Sequence, residues 1–152
     1  MNKKDFKAIV RIANTDIDGN KRLDYALTKI KGVSYSFASA ICNVLNLDKN
    51  MKAGYLTEND VEKINDLLKN PRKYNIPSWM LNLRKELFTG EDKHLIGHDI
   101  NIYVNQLIRL WSRIKTYKGI RHMKGLPVRG QRTKAHFRKN RGRPLGVMRN
   151  KR

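Results

Sequence analysis

The sequence is poor in the features on which most small functions rest. It has one cysteine, Cys42, so no internal disulfide is available and a reducing compartment suits the chain. No apolar run approaches the ~20 residues of a membrane span. The longest apolar-leaning stretch, Ile100 to Ile114, is broken by Asn101, Asn105, Gln106, Arg109 and Arg113. The opening Met1-Asn-Lys-Lys-Asp-Phe-Lys carries charge but no apolar core of a secretory signal, so a cytoplasmic location is the expectation. Neither a Gly-x-x-x-x-Gly-Lys-[Ser/Thr] phosphate loop nor a Gly-x-Ser-x-Gly elbow occurs. His94 and His98 stand four apart beside Asp99, but Gly97 between them marks a loop and no cysteine cluster helps, so no metal and no cofactor are expected. Cys42 falls on the apolar stripe of a predicted helix and reads as a buried, inert thiol. Asp16 and Asp18, and Glu58, Asp60 and Glu62, read as turn and cap chemistry, which leaves no support for a catalytic role.

The most telling absence is of one sign of charge. From Ile100 to Arg152 there are 16 Lys or Arg and no Asp or Glu, whereas the first 99 residues hold 17 basic and 13 acidic side chains. A nearly balanced body thus carries an arm of concentrated positive charge, within a chain of net charge +20. From Gly119 onward the arm has five Gly, two Pro and few large apolar residues. It is expected to bury too little surface to offset roughly 1–2 kcal/mol per residue of backbone ordering, so a polyanion must supply the balance. Its cations are interleaved with Gly119, Gly125, Gly130, Gly142 and Gly146, with His122 and His136, and with Tyr117 and Phe137. Glycines let backbone approach phosphate, Arg forks onto phosphate oxygens, and rings stack on bases. RNA is favoured over duplex DNA, because no helix in the arm is laid out to enter a major groove.

Ahead of the arm, the period of the apolar residues predicts an all-α class: a small helical body, one long helix and an extended basic tail. Lys7 to Ala13 reads as an extended segment or small strand, closed by the turn cluster Asn14 to Asn20. Leu23, Ala26, Leu27 and Ile30 predict a first helix over Arg22 to Lys31, stopped by Gly32. A second begins at Ser34 or Ser36, with Phe37, Ala38, Ile41, Cys42 and Leu45 on one face. The tight hairpin between them offers free amides to a phosphate, although Gly32 is equally suited to being a plain helix stop. Thr57-Glu-Asn-Asp opens a third helix with the stripe Val61, Ile64, Leu67 and Leu68. Tyr74 to Phe88 suggests a short helix on the spacing of Trp79, Leu83 and Leu87, and Asp99 an N-cap. The long helix runs from Ile100 to Tyr117 with a wide apolar face, expected to be covered mainly by the body.

The run Tyr117-Lys-Gly-Ile-Arg-His-Met-Lys-Gly-Leu-Pro-Val-Arg-Gly-Gln-Arg-Thr-Lys closely resembles the signature of the small-subunit ribosomal protein family numbered thirteen in bacteria and eighteen in eukaryotes. Ile12-Ala-Asn-Thr-Asp-Ile, Ala26-Leu-Thr-Lys-Ile-Lys-Gly-Val, Ile76-Pro-Ser-Trp-Met-Leu-Asn and Thr89-Gly-Glu-Asp-Lys-His-Leu-Ile-Gly extend the likeness along nearly the whole chain. The insert around Pro77 to Gly97 and the ending Ala135-His-Phe-Arg-Lys are similar to the archaeal form. The resemblance implies a structural protein of the small-subunit head, with a helix-two-turn-helix body on small-subunit ribosomal RNA. It implies small-subunit protein nineteen and large-subunit protein five as neighbours, and a tail that reaches towards peptidyl-site tRNA. The composition divides the chain into a body, 1–118, and a tail, 119–152. Carried over onto this chain, the RNA-binding residues are Gly32 in the hairpin and Arg129, Arg132, Lys134, Arg138, Lys139, Arg141 and Arg143 in the arm; the expected RNA contacts also include Lys118, Arg121, His122, Lys124, Gly130 and His136 of the same basic arm. Neither a membrane contact nor a homo-oligomer is expected. The rival readings are a helix-two-turn-helix DNA-binding module, as in a base-excision glycosylase, and an architectural DNA binder that reads backbone alone.

Overall fold

The computed structural model describes residues 6–134. The described chain begins with a β-hairpin: β1 (Ile9–Ile12) pairs antiparallel with β2 (Thr15–Asp18), Val10 opposite Ile17 and Ile12 opposite Thr15. Ala13 and Asn14 turn the chain with φ of 47° and 59°. This is the left-handed two-residue turn whose twist matches that of the strands. Alternation buries Val10, Ile12 and Ile17 and leaves Ile9, Arg11 and Asp16 outside. The fold is therefore mainly helical, close to the expected all-α class, with one small two-stranded sheet added. The cluster read as pure turn contributes a strand, because Thr15–Asp18 carries one apolar residue and gains its order from pairing with β1.

Helix α1 spans only Leu23–Leu27, shorter than the Arg22 to Lys31 expected. Beyond it the bonds tighten to three-residue spacing, Thr28 N–H to Tyr25 carbonyl and Ile30 N–H to Leu27 carbonyl, which still turns Ile30 inward. Helix α2 (Tyr35–Val44) starts at Ser34, whose hydroxyl accepts from the Phe37 amide, and buries Phe37, Ala38, Ile41 and Cys42. Helix α3 (Glu58–Lys69) opens with a reciprocal box: Thr57 Oγ1 accepts from the Asp60 amide and the Asp60 carboxylate accepts from the Thr57 amide, both at 3.2 Å. It buries Ile64, Leu67 and Leu68. The buried core draws on residues from Val10 to Leu81, each large aliphatic side chain contributing about 1.5–3 kcal/mol.

No helix forms over Tyr74 to Phe88; the chain instead makes single 3-10 turns at Pro71–Tyr74 and Ser78–Met80. The residues that reach the core here are Ile76 and Leu81, while Trp79 is 70% exposed and Leu87 61%. The four-residue spacing of Trp79, Leu83 and Leu87 thus marks no buried face. Leu83 and Lys93 exchange backbone hydrogen bonds at 3.2 and 2.8 Å, which holds the segment as a closed strap. Helix α4 (His98–Arg113) begins one residue before Asp99, which sits in its first turn rather than at the cap. It stops short of Tyr117 because Lys115 turns left-handed at φ 57°. No side chain of α4 is fully buried; Ile100, Tyr103, Leu107, Ile108, Leu110 and Trp111 are half-buried. A further helix, α5 (Tyr117–Met123), stands where irregular chain was expected. The chain divides into two compact units, with the boundary between Val104 and Asn105.

Candidate nucleic-acid interface

Two places hold the residues to which the sequence reading points. The first is the α1–α2 hairpin. Asp24, on α1, is buried, and its carboxylate accepts from the Tyr25 amide at 2.6 Å, Arg22 Nη2 at 2.8 Å and Tyr35 Oη at 2.9 Å. Burial pushes the carboxyl pKa up, but the hydrogen bonds from Tyr35, the Tyr25 amide and Arg22 outweigh it and hold it below the usual value. The same bond raises the Tyr35 phenol. Since Tyr35 is the first residue of α2, this network sets the angle at which α2 leaves the turn.

Gly32 lies in that turn with φ of 104°. A Cβ there would stand 2.4 Å from the Leu95 carbonyl oxygen and 3.3 Å from the Ile96 Cα, and the Gly97 amide donates to the Lys31 carbonyl at 2.7 Å. The glycine is thus required by the strap packed against it. Beyond the turn, the first amides of α2 have no intrahelical acceptor, and the Ser34 and Ser36 hydroxyls lie 3.0 Å apart beside them. That end of the helix is exposed and suited to an anion.

The second place is the corner between α4 and α5. Thr116 caps α5, its hydroxyl accepting from the Gly119 amide and donating to the Trp111 carbonyl, both at 3.1 Å. Gly119 is buried, because a Cβ would lie 2.3 Å from the Trp111 carbonyl oxygen. The corner brings cations onto rings: Lys118 Nζ lies 5.8 Å from the Trp111 ring centre and the Arg121 guanidinium 5.9 Å from that of Tyr117. The His122 ring lies over Trp111 at 6.2 Å. Arg121 Nε also donates to the Pro127 carbonyl at 2.9 Å, which folds the chain after α5 back onto it. Lys124, Arg129, Gly130, Arg132 and Lys134 are all exposed, and Gly130 takes φ of 74°.

Of the expected RNA contacts, then, Lys118, Arg121 and His122 are brought together on α5, and Gly32 lies in the other compact unit. His136, Arg138, Lys139, Arg141 and Arg143 lie outside the described residues. Sequence reasoning names Tyr117 among the arm's rings but misses Trp111 and Thr116 as side chains that shape this surface, although Thr116 three residues before Gly119 is a cap spacing. Among the described residues no three His, Cys, Asp or Glu side chains converge as metal ligands. His94 is buried against Phe37 rather than paired with His98.

Residues 11–139 match the model of the family described as ribosomal protein S13/S18. The chain is 51% identical over 151 residues to small ribosomal subunit protein uS13 of Methanocaldococcus jannaschii, covering 99% of each chain. It is 49% identical over 149 residues to that of Methanothermobacter thermautotrophicus, covering 98% of this chain and 99% of the relative. With uS13 of Staphylothermus marinus the identity is 48% over 149 residues, covering 98% and 97%. Matched along nearly its whole length, the chain belongs to the ribosomal protein S13/S18 family, in its archaeal type.

Proposed function

We propose that this protein anchors and threads small-subunit ribosomal RNA in the head of the small ribosomal subunit. Membership of the family makes it a structural constituent of that subunit, in the cytoplasmic ribosome, and not an enzyme. The observation that carries the finer reading is the charge asymmetry: 16 basic and no acidic residues after Asp99, among them Lys118 and Arg121, which α5 holds over aromatic rings. Such a surface neutralises phosphates and releases condensed counterions, which drives much of the binding to a ribose-phosphate chain. On this reading residues 1–118 are the anchor and 119–152 the RNA-seeking tail, with α5 leading from one into the other. Gly32 and the α2 amides hold a phosphate at the hairpin. Lys118, Arg121, His122, Lys124, Arg129, Gly130, Arg132 and Lys134 continue the track, followed by His136, Arg138, Lys139, Arg141 and Arg143. Small-subunit protein nineteen, large-subunit protein five across the subunit interface, and peptidyl-site tRNA are the proposed further neighbours.

The test is a variant ending at Val128. It keeps α5 and the Arg121–Pro127 bond but loses ten Lys or Arg. Its affinity for small-subunit ribosomal RNA is expected to fall, and the dependence of affinity on salt to flatten by several counterions. An unchanged salt slope, or a preference for duplex DNA at equal salt, rejects the reading.

A further inference from the structure

The strap between α3 and α4 carries a surface that the basic tail does not account for. Its carboxylates are all answered from within. Glu86 accepts from Lys93 Nζ at 2.5 Å and Thr89 Oγ1 at 2.6 Å, and Glu91 lies 3.6 Å from the same lysine. Asp92 accepts from Arg72 Nη2 at 2.6 Å and the Lys85 amide at 2.8 Å. Among the described residues the side chains of Arg84 and Lys85 make neither an ion pair nor a hydrogen bond, and both are exposed. They help line an open concavity of about 550 Å³ together with Ser78, Asn82, Leu83 and Asp92. Trp79 follows Ser78 in the chain and is 70% exposed; Phe88, three residues after Lys85, is 64% exposed.

We propose that this strap is a second RNA contact, in which Arg84 and Lys85 take a phosphate of single-stranded ribosomal RNA and Trp79 stacks a neighbouring base. Exposed rings alone would suit a protein as well. What favours RNA is the sorting of charge: every carboxylate of the strap is paired internally, and the strap that exposes Trp79 also carries two cations without an ion pair. The strap is also held in place before it binds. Leu83 and Lys93 exchange backbone hydrogen bonds, and the Glu86 amide donates to the Glu91 carbonyl at 2.8 Å, so little ordering is required on contact. The inference rests on the ribosomal-RNA reading above and deepens it.

The experiment uses the full chain and deproteinised small-subunit ribosomal RNA, titrated at several salt concentrations. Three variants are compared with the parent: Arg84→Ala with Lys85→Asn, Trp79→Ala, and Trp79→Phe. Asparagine is chosen because Lys85 sits at φ 50°, which it tolerates. The double variant is expected to flatten the salt slope by about 1–2. Trp79→Ala is expected to weaken binding roughly tenfold, and Trp79→Phe to retain most of it. Ultraviolet crosslinking of the parent protein is expected to map within residues 78–88. These side chains are exposed, and circular dichroism melting checks that the variants fold. If the parent binds and every variant matches it in slope and affinity, with no crosslink in the strap, this inference is overturned and the tail-based reading stands. If the parent itself does not bind the RNA, both are overturned.

Discussion

The imidazole of His94 lies flat on the ring of Phe37, with centroids 4.0 Å apart and planes 14° from parallel. That stack fastens the strap to α2, whose Phe37 is at the centre of the core. Asn82 completes the fastening. Its amide nitrogen donates to His94 Nδ1 at 3.4 Å, and its side chain both donates to the Leu95 carbonyl at 2.6 Å and accepts from the Leu95 amide at 2.8 Å. With Nδ1 as acceptor, the neutral tautomer carries its hydrogen on Nε2.

A pH dependence follows. Burial lowers the His94 pKa from 6.5 to about 4. Between those values the unfolded chain binds a proton that the folded chain refuses, so stability rises with pH across the window. The contribution is whole above about 6.5 and fades as pH falls towards about 4. His94→Phe keeps a ring on Phe37 and removes the titration. Melting temperatures taken in pH steps are expected to fall less steeply for the variant between 6.5 and 4; parallel curves would refute the assignment.

Gly32 separates two explanations of one residue. If its role were only to let a phosphate approach, Gly32→Ala would lower RNA affinity and leave the free protein's stability intact. The geometry argues otherwise, with φ of 104° and the Leu95 carbonyl 2.4 Å from the new Cβ. Strain at such a backbone costs on the order of 1–3 kcal/mol before the clash is counted. Urea denaturation of the RNA-free protein is expected to show a midpoint lowered accordingly, and a stability equal to the parent's would restore the phosphate-only account.

What can be read without coordinates is local. Thr57 and Asp60 lie three residues apart and announce their box, and Phe37, Ala38, Ile41 and Cys42 recur at helical spacing and prove buried. The readings that fail depend on partners far along the chain. Nothing near Ile17 reveals that Val10 pairs with it, and nothing near His94 reveals Phe37, 57 residues earlier, so the sequence sets the histidine only against His98. Trp79 and Leu87 read as a buried stripe because spacing records period but not which face meets the core. At the candidate site, the cations of α5 are legible as charge. Their arrangement is not, because Gly119 reads as one of the arm's phosphate-approaching glycines until Trp111 is seen to need the space it leaves.

Asp24 and Tyr35 should act as a coupled pair across the hairpin. Removing either ends the 2.9 Å bond, and removing Tyr35 alone leaves a buried carboxylate with one fewer donor. A double-mutant cycle with Asp24→Asn and Tyr35→Phe is expected to give a favourable coupling energy between the two positions. The coupling is expected to shrink as acid protonates Asp24. Its carboxyl is held below the usual value, so its share of stability is present at neutral pH and is lost only as pH falls through that lowered pKa. Additive single effects at neutral pH would show that the bond does not set the hairpin.

Gly119→Ala sets two effects of opposite sign against each other. In a helix interior alanine is favoured over glycine by about 0.8–1 kcal/mol, so on propensity alone α5 should strengthen. Against this, the added Cβ meets the Trp111 carbonyl oxygen at 2.3 Å and the Ser112 nitrogen at 2.6 Å, backbone atoms that cannot swing away as a flexible side chain would. Overpacking of that kind costs about 1–3 kcal/mol, so the clash wins. Relief would come from α5 moving off α4, which also breaks the 3.1 Å bond from the Thr116 hydroxyl to the Trp111 carbonyl. The amides of Ile120 and Lys124, which donate to the Thr116 and Ile120 carbonyls, are expected to exchange hydrogen faster in the variant, while those of α2 and α3 keep their rates. Slower exchange along α5 would mean that propensity prevails and that the Trp111 contact yields.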